Sequence, residues 1–172
     1  THYIYAPKED SYIRQKWRIE DKSLEARRIP KNIAQVYTLS PGADFNRKSK
    51  KDFNFLLSKF NFAIDKGFSE VGLLFDDIDI NNIGIESDDK DLGKFHGELI
   101  SEVTTKLGLS NGWFCPSIYC ESFSKKGIQN DKYLEGVSET INNDLFFLWT
   151  GPKVISDFIS QDHLKKLGKV IK

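Results

Sequence analysis

The sequence predicts an α/β protein, a parallel sheet whose strands are joined by helices, and three observations predict it. Strand-like runs alternate with helix-like runs along the 172 residues, which is the pattern of βα units. The run Val71-Gly72-Leu73-Leu74-Phe75 is apolar or small throughout, as in a strand covered on both faces. Polar, Gly or Pro residues gather where each strand ends, on one side of the sheet, and this favours a barrel-type site over a scattered surface.

The first strand, Tyr3 to Ala6, ends at Pro7-Lys8-Glu9-Asp10. Ser23 to Ile33 has helical character, interrupted by Pro30, which a helix interior resists. The second strand, Gln35 to Leu39, ends at Ser40-Pro41-Gly42. A helix follows from about Lys50 to Lys66, because Phe53, Leu56, Leu57, Phe60 and Ile64 recur at steps of three and four, and Gly67 stops it. The third strand, Glu70 to Phe75, ends at Asp76-Asp77. Asp91 to Leu107 reads as a helix stopped by Gly108. The fourth strand runs from about Trp113 and carries Cys115-Pro116-Ser117-Ile118-Tyr119-Cys120. Tyr133 to Ile141 is a short helical connection, Leu145 to Trp149 a fifth strand ending at Thr150-Gly151-Pro152-Lys153, and Gln161 to Ile171 a final helix. The chain opens on a strand at Thr1 and closes on a helix with no strand after it, so a piece of a longer domain is expected.

Composition bounds the function. A 39% hydrophobic and 13% aromatic share argues for one packed globular unit. The 25 basic and 25 acidic side chains cancel, which gives no electrostatic reason to expect a nucleic acid or an anionic membrane as partner. Arg47-Lys48-Ser49-Lys50-Lys51 reads as a solvated helix start. No apolar stretch approaches the roughly 18 residues of a membrane span, and the opening residues show no signal peptide. Two cysteines, Cys115 and Cys120, are too few for a disulfide scaffold. On one strand they stand roughly 16 Å apart, beyond bridging without a sharp bend, so reduced thiols are expected.

Chemistry concentrates at Asp76 and Asp77. Charges do not fit inside the buried strand, so both belong at its C-terminal end, where ligands bind in α/β folds. Adjacent carboxylates there can hold different protonation states. The competing reading is a helix cap or a cation loop, with Asp79 and Asp88-Asp89 as further ligands, although the glycine and terminal Glu spacing of an EF-hand is missing. Taken singly, Lys8 reads as a surface lysine, Tyr119 as a rim aromatic and Trp149 as packing or a sugar platform. His2, His96 and His163 lie far apart and show no metal-ligand spacing.

Six strand-end motifs act together: Tyr5-Ala6-Pro7-Lys8-Glu9-Asp10, Trp17-Arg18, Leu39-Ser40-Pro41-Gly42, Leu74-Phe75-Asp76-Asp77-Ile78-Asp79, Phe114-Cys115-Pro116 with Tyr119-Cys120, and Leu148-Trp149-Thr150-Gly151-Pro152-Lys153-Val154. In this order they resemble the catalytic domain of glycoside hydrolase family 84, which groups O-GlcNAcases with bacterial β-N-acetylglucosaminidases and hyaluronidase-like enzymes. The animal nucleocytoplasmic branch looks closest. Ile118 and Glu121 depart from the pattern, standing where Glu and Gly are common.

The resemblance implies a (β/α)₈ TIM barrel, of which this chain forms a partial barrel covering about strands 2 to 6, without the first and last barrel strands. It implies removal of β-linked N-acetylglucosamine with retention, the substrate's own 2-acetamido oxygen serving as nucleophile. Asp76 then orients the acetamido group and stabilises the oxazoline intermediate. Asp77 protonates the leaving oxygen and later deprotonates water. Lys8, Tyr119 and Cys115 bind the sugar, and Asp79 supports the pair. No cofactor or metal is implied. The partners are O-GlcNAc-modified proteins or N-acetylglucosamine-containing glycans, with a homodimer of the full-length protein left open. The compartment is cytoplasm and nucleus, or the exterior for a secreted bacterial-type enzyme acting on glycans. A further alternative is a truncated form that at most binds sugar, and the 172-residue chain alone is expected to be inactive.

Overall fold

The computed structural model describes residues 1–26, 32–42, 44–76, 90–142 and 144–171. Among them, β1 (His2–Tyr5), β2 (Ala34–Leu39), β3 (Glu70–Leu74), β4 (Gly112–Cys115) and β5 (Leu145–Phe147) form one sheet in chain order. Every pairing is parallel. The helices are α1 (Lys50–Asp65), α2 (Lys90–Leu107), α3 (Lys132–Ser138) and α4 (Gln161–Leu167). Parallel strands need crossovers, and α1 and α2 supply two of them.

The sheet curls. His2 on β1 puts its ring 5.2 Å from Trp113 on β4 and 5.6 Å from Phe146 on β5. On a flat sheet the backbones of β1 and β4 would stand roughly 14 Å apart, so these rings meet because the face they share is concave. His2 Nε2 also lies 3.2 Å from Glu70 Oε1 on β3, and the Trp113 indole N–H donates to the other Glu70 oxygen at 2.5 Å. Side chains alternate along a strand, so Glu70, Gly72 and Leu74 share the inner face with Trp113 and Cys115. The register pairs Gly72 with Trp113 and Leu74 with Cys115. This is the wall of a partial barrel.

Alternate residues face outward into the helix layer. Tyr5, Tyr37, Val71, Leu73, Phe75 and Phe114 are buried there. The α1 stripe read from the sequence buries Leu56 and Phe60 fully, and Phe53, Leu57 and Ile64 pack partly against the core. Ser49 caps α1, accepting from the Asp52 N–H, and the basic residues around it are exposed as expected. α2 and α3 touch backbone to backbone: a Cβ on Gly136 would sit 2.1 Å from the Lys90 carbonyl oxygen, and one on Gly93 2.0 Å from that of Tyr133.

Four expectations need correction. β4 does not continue through Cys120 but stops at Cys115, because Pro116 has no N–H for the ladder. Cys120 instead precedes a 3-10 turn, Glu121–Phe123, so the two cysteines are not on one strand, and both thiols are free. The helix expected from Ser23 is a 3-10 turn, Lys22–Ala26; Pro30 lies outside the described residues. β5 ends at Phe147, before Trp149, and α4 ends at Leu167, with Gly168 as its cap.

Candidate active site at the strand ends

Asp76 follows β3 by two residues. The Phe75 N–H donates to the Cys115 carbonyl at 2.8 Å, which extends the ladder past the end of the strand. By alternation Asp76 falls on the inner side, one pleat beyond Leu74 and Cys115, at the C-terminal rim where barrel sites form. Its side chain is 18% exposed, and Lys8 Nζ stands 3.9 Å from Asp76 Oδ2. Two predicted site residues from different strand ends are thus neighbours. Asp77, Asp79, Asp88 and Asp89 lie outside the described residues.

The loop carrying Lys8 is held firmly for a surface excursion. Tyr5 donates its hydroxyl to Asp10 at 2.9 Å, and the Tyr12 N–H donates to the other Asp10 oxygen at 2.8 Å. Lys59 of α1 is 2% exposed and gives its ammonium protons to the carbonyls of Tyr12 and Lys16. Burial lowers this amine to about 8, opposed by the charges of Asp21 and Asp10. Farther along, Arg18 grips Asp52 with two hydrogen bonds, at 3.1 and 2.8 Å, and this fork holds the Asp52 carboxyl below its ordinary range. Trp17 donates to Asp44 at 2.9 Å. The Trp17-Arg18 motif is therefore the seam between this loop and the start of α1.

Cys115 ends β4, buried, with its thiol 3.9 Å from the Pro116 carbonyl oxygen. Tyr119 is half-buried, its ring edge-on to Phe123 at 5.1 Å, and its carbonyl accepts from the Thr150 N–H at 2.9 Å. The loops after β4 and β5 are thus joined. Trp149 is part of the packing, its indole N–H bonded to His163 at 2.8 Å. A groove of about 660 Å³ between α1 and α2, floored by Phe53, Leu57 and Phe95, includes none of these strand-end residues.

A buried support beneath the site was missed by sequence reasoning. The Phe75 ring lies flat on His96, centroids 3.8 Å apart. His96 Nδ1 is 2.9 Å from the Tyr133 hydroxyl, which accepts the Ser117 N–H at 3.0 Å. With that lone pair taken, both groups are satisfied when Tyr133 O–H donates to Nδ1, leaving the imidazole proton on Nε2. Burial, reinforced by the charge of Arg47, pushes His96 down to about 3, and burial raises the Tyr133 phenol. The residue before Asp76 and the loop after Cys115 therefore rest on one neutral hydrogen-bonded pair. A signal was present: Leu92, His96, Leu99, Ile100 and Val103 recur at helical steps, which puts His96 on the buried stripe of α2. Each of the three histidines has a packing role, and among the described residues no His, Cys, Asp and Glu group has the makings of a metal site.

The comparisons agree with this arrangement. A family model described as beta-N-acetylglucosaminidase matches residues 1–172. The Protein O-GlcNAcase of Rattus norvegicus and that of Mus musculus are each 31% identical over 182 residues, an alignment covering 99% of this chain and 20% of the relative. The chain thus spans one fifth of the length of these relatives. Among solved structures, a mutant of the Thermobaculum terrenum O-GlcNAc hydrolase shares the fold with a TM-score of 0.81 at 24% identity, over 99% of this chain and 38% of that one. CpGH84B superposes with a TM-score of 0.81 at 27% identity, over 99% and 31%. With a strand-end carboxylate on a curled parallel sheet and a family model matched from end to end, the chain belongs to the beta-N-acetylglucosaminidase family.

Proposed function

We propose that this chain carries the catalytic carboxylates of a retaining glycoside hydrolase that removes O-linked N-acetylglucosamine from Ser and Thr of proteins. The observation that carries the reading is Asp76 at the inner rim of the barrel wall, with Lys8 from the neighbouring loop 3.9 Å away. In this reading the five strands are the second to the sixth of an eight-stranded barrel, and the remaining strands complete the sugar pocket.

Ionised Asp76 accepts the acetamido N–H of the substrate. This aims the acetamido oxygen at the anomeric carbon and stabilises the positive charge that develops on the oxazolinium. Asp77, protonated at the start, gives its proton to the leaving oxygen and takes one back from the attacking water. Two carboxylates in adjacent positions favour this split, because like-charge repulsion raises the pKa of the less solvated one. Lys8 bonds a sugar hydroxyl. Tyr119 and Cys115 line the acetamido side, and Asp79 supports the pair. No metal or cofactor takes part. Glycoproteins are the substrate class, and the cytoplasm and nucleus the compartment; two buried free thiols fit a reducing environment.

The test uses a protein carrying this chain with the rest of its barrel. Asp77→Ala should abolish hydrolysis of substrates with poor leaving groups, a loss of about 10²–10⁴-fold, while activated aryl glycosides retain more activity. Equal loss on both would remove Asp77 from the acid role.

A further inference from the structure

We propose that His163 is a positioning residue for the reaction, clamping the Tyr119 loop to the exit of β5; the claim rests on the glycosidase reading above. His163 sits in the first turn of α4, its backbone N–H capped by Ser160 Oγ at 3.1 Å, and its side chain is 6% exposed. The Trp149 indole N–H donates to His163 Nε2 at 2.8 Å. Indole nitrogen is a donor only, so Nε2 is the unprotonated nitrogen and the neutral ring carries its proton on Nδ1. That nitrogen lies 3.3 Å from Glu121 Oε2. One imidazole thus ties together three segments that are distant in sequence: the exit of β5, the start of α4 and the 3-10 turn after Tyr119.

The backbone shows why this matters for Tyr119. The Thr150 N–H donates to the Tyr119 carbonyl at 2.9 Å, Glu121 N–H to Gly151 at 2.9 Å and Ser122 N–H to Pro152 at 3.0 Å. Residues 119–122 and 150–152 therefore form a short ladder outside the sheet. Its flank is closed by the Trp149–His163–Glu121 chain, and Glu121 is two residues from Tyr119. Without the imidazole the ladder loses this flanking brace and keeps the Thr150 hydroxyl on the Tyr119 carbonyl at 3.4 Å and the Phe123 ring, so Tyr119 can shift against a bound sugar. A displacement of about 1 Å is enough to cost up to 10²-fold in a site that works by orientation.

The experiment combines kinetics with NMR on a protein carrying the complete barrel, using an aryl N-acetyl-β-glucosaminide as substrate. His163→Ala should lower kcat about tenfold and change KM less than about threefold. His163→Gln, whose amide can accept from Trp149 and donate to Glu121, should recover most of the loss. In a Tyr119→Phe background the His163→Ala effect should fall below about threefold, because the clamp acts through that residue. Glu121→Ala removes the half-buried partner without touching the buried ring and should reproduce the loss, which keeps the claim testable if His163→Ala does not fold. An undiminished effect in the Tyr119→Phe background, or wild-type kcat in Glu121→Ala, overturns the positioning role. Nitrogen-15 shifts of His163 supply a readout independent of turnover: a proton on Nδ1 is expected, and one on Nε2 overturns the clamp. A folded wild-type protein without turnover contradicts the glycosidase reading and with it the positioning role. Wild-type kcat after loss of the clamp contradicts the positioning role alone.

Discussion

Asp76 shows how much one residue owes to its surroundings. Its position follows from period-two alternation on β3 and from the extra rung between Phe75 and Cys115. Its stability as a platform owes much to His96, which holds Phe75 flat and anchors Tyr133. His96 stays neutral in the native protein, with its pKa lowered from 6.5 to about 3, whereas the unfolded chain takes up the proton at its ordinary pKa. The unfolded state therefore binds more protons as pH falls below 6.5, and the native state loses stability by up to about 1.4 kcal/mol per pH unit. Urea unfolding of wild type and His96→Gln checks this. Between about pH 7 and about pH 5, wild type should lose about 2 kcal/mol more than the variant; equal losses would mean that His96 is not held neutral. At this scale the sequence was readable where a residue type is out of place. Two aspartates closing an apolar run stand out, whereas Lys8 taken singly reads as a surface lysine and gains a role only with the other strand-end motifs. His96 did not stand out, because a histidine on an apolar stripe looks like any other buried side chain until its partner, 37 residues away, is known.

Among the elements, helices were legible from their spacing and their stop signals: Gly67 and Gly108 take positive φ, 105° and 66°, just past α1 and α2. What spacing could not reveal was tertiary use. Lys59 sits on the α1 face as an ordinary helical lysine, yet it is buried to pin the carbonyls of the Lys8 loop. Gly93 and Gly136 look like weak points in their helices, since glycine is a poor helix former. In the structure they allow α2 and α3 to meet backbone to backbone. Gly136→Ala should therefore destabilise by about 3 kcal/mol despite its better helix propensity, because the new methyl group meets the Lys90 carbonyl. Chemical denaturation of the variant measures it, and a change within about 0.5 kcal/mol would show that the two helices separate freely. The strand ends were misjudged where ladder chemistry decided them: Pro116 terminates β4, and the Tyr119-Cys120 segment pairs with the loop after β5 and not within the sheet.

The molecule as a whole is a curved parallel wall whose inner rim gathers Lys8, Asp76 and Cys115 from three strand ends. The parallel order followed from strands separated by helix-like runs, and the curvature became visible only when His2 on β1 met Trp113 and Phe146 across the concave face. Asp77 and Asp79 were named from sequence as partners of Asp76 and lie outside the described residues, so the division of roles within the pair, and the substrate-assisted chemistry with it, is what the family resemblance implies. That chemistry is the central claim: the substrate's acetamido oxygen, oriented by Asp76, is the nucleophile. The most direct measurement compares hydrolysis of an aryl 2-acetamido-β-glucoside with that of its 2-trifluoroacetamido analogue by a protein carrying this chain in its complete barrel. Fluorine withdraws electron density from the amide oxygen and weakens it as a nucleophile. A fall in kcat/KM of about 10²-fold or more, close to 3 kcal/mol of transition-state stabilisation, is the predicted result. Equal rates for the two substrates, together with a trapped glycosyl–enzyme ester, would contradict it.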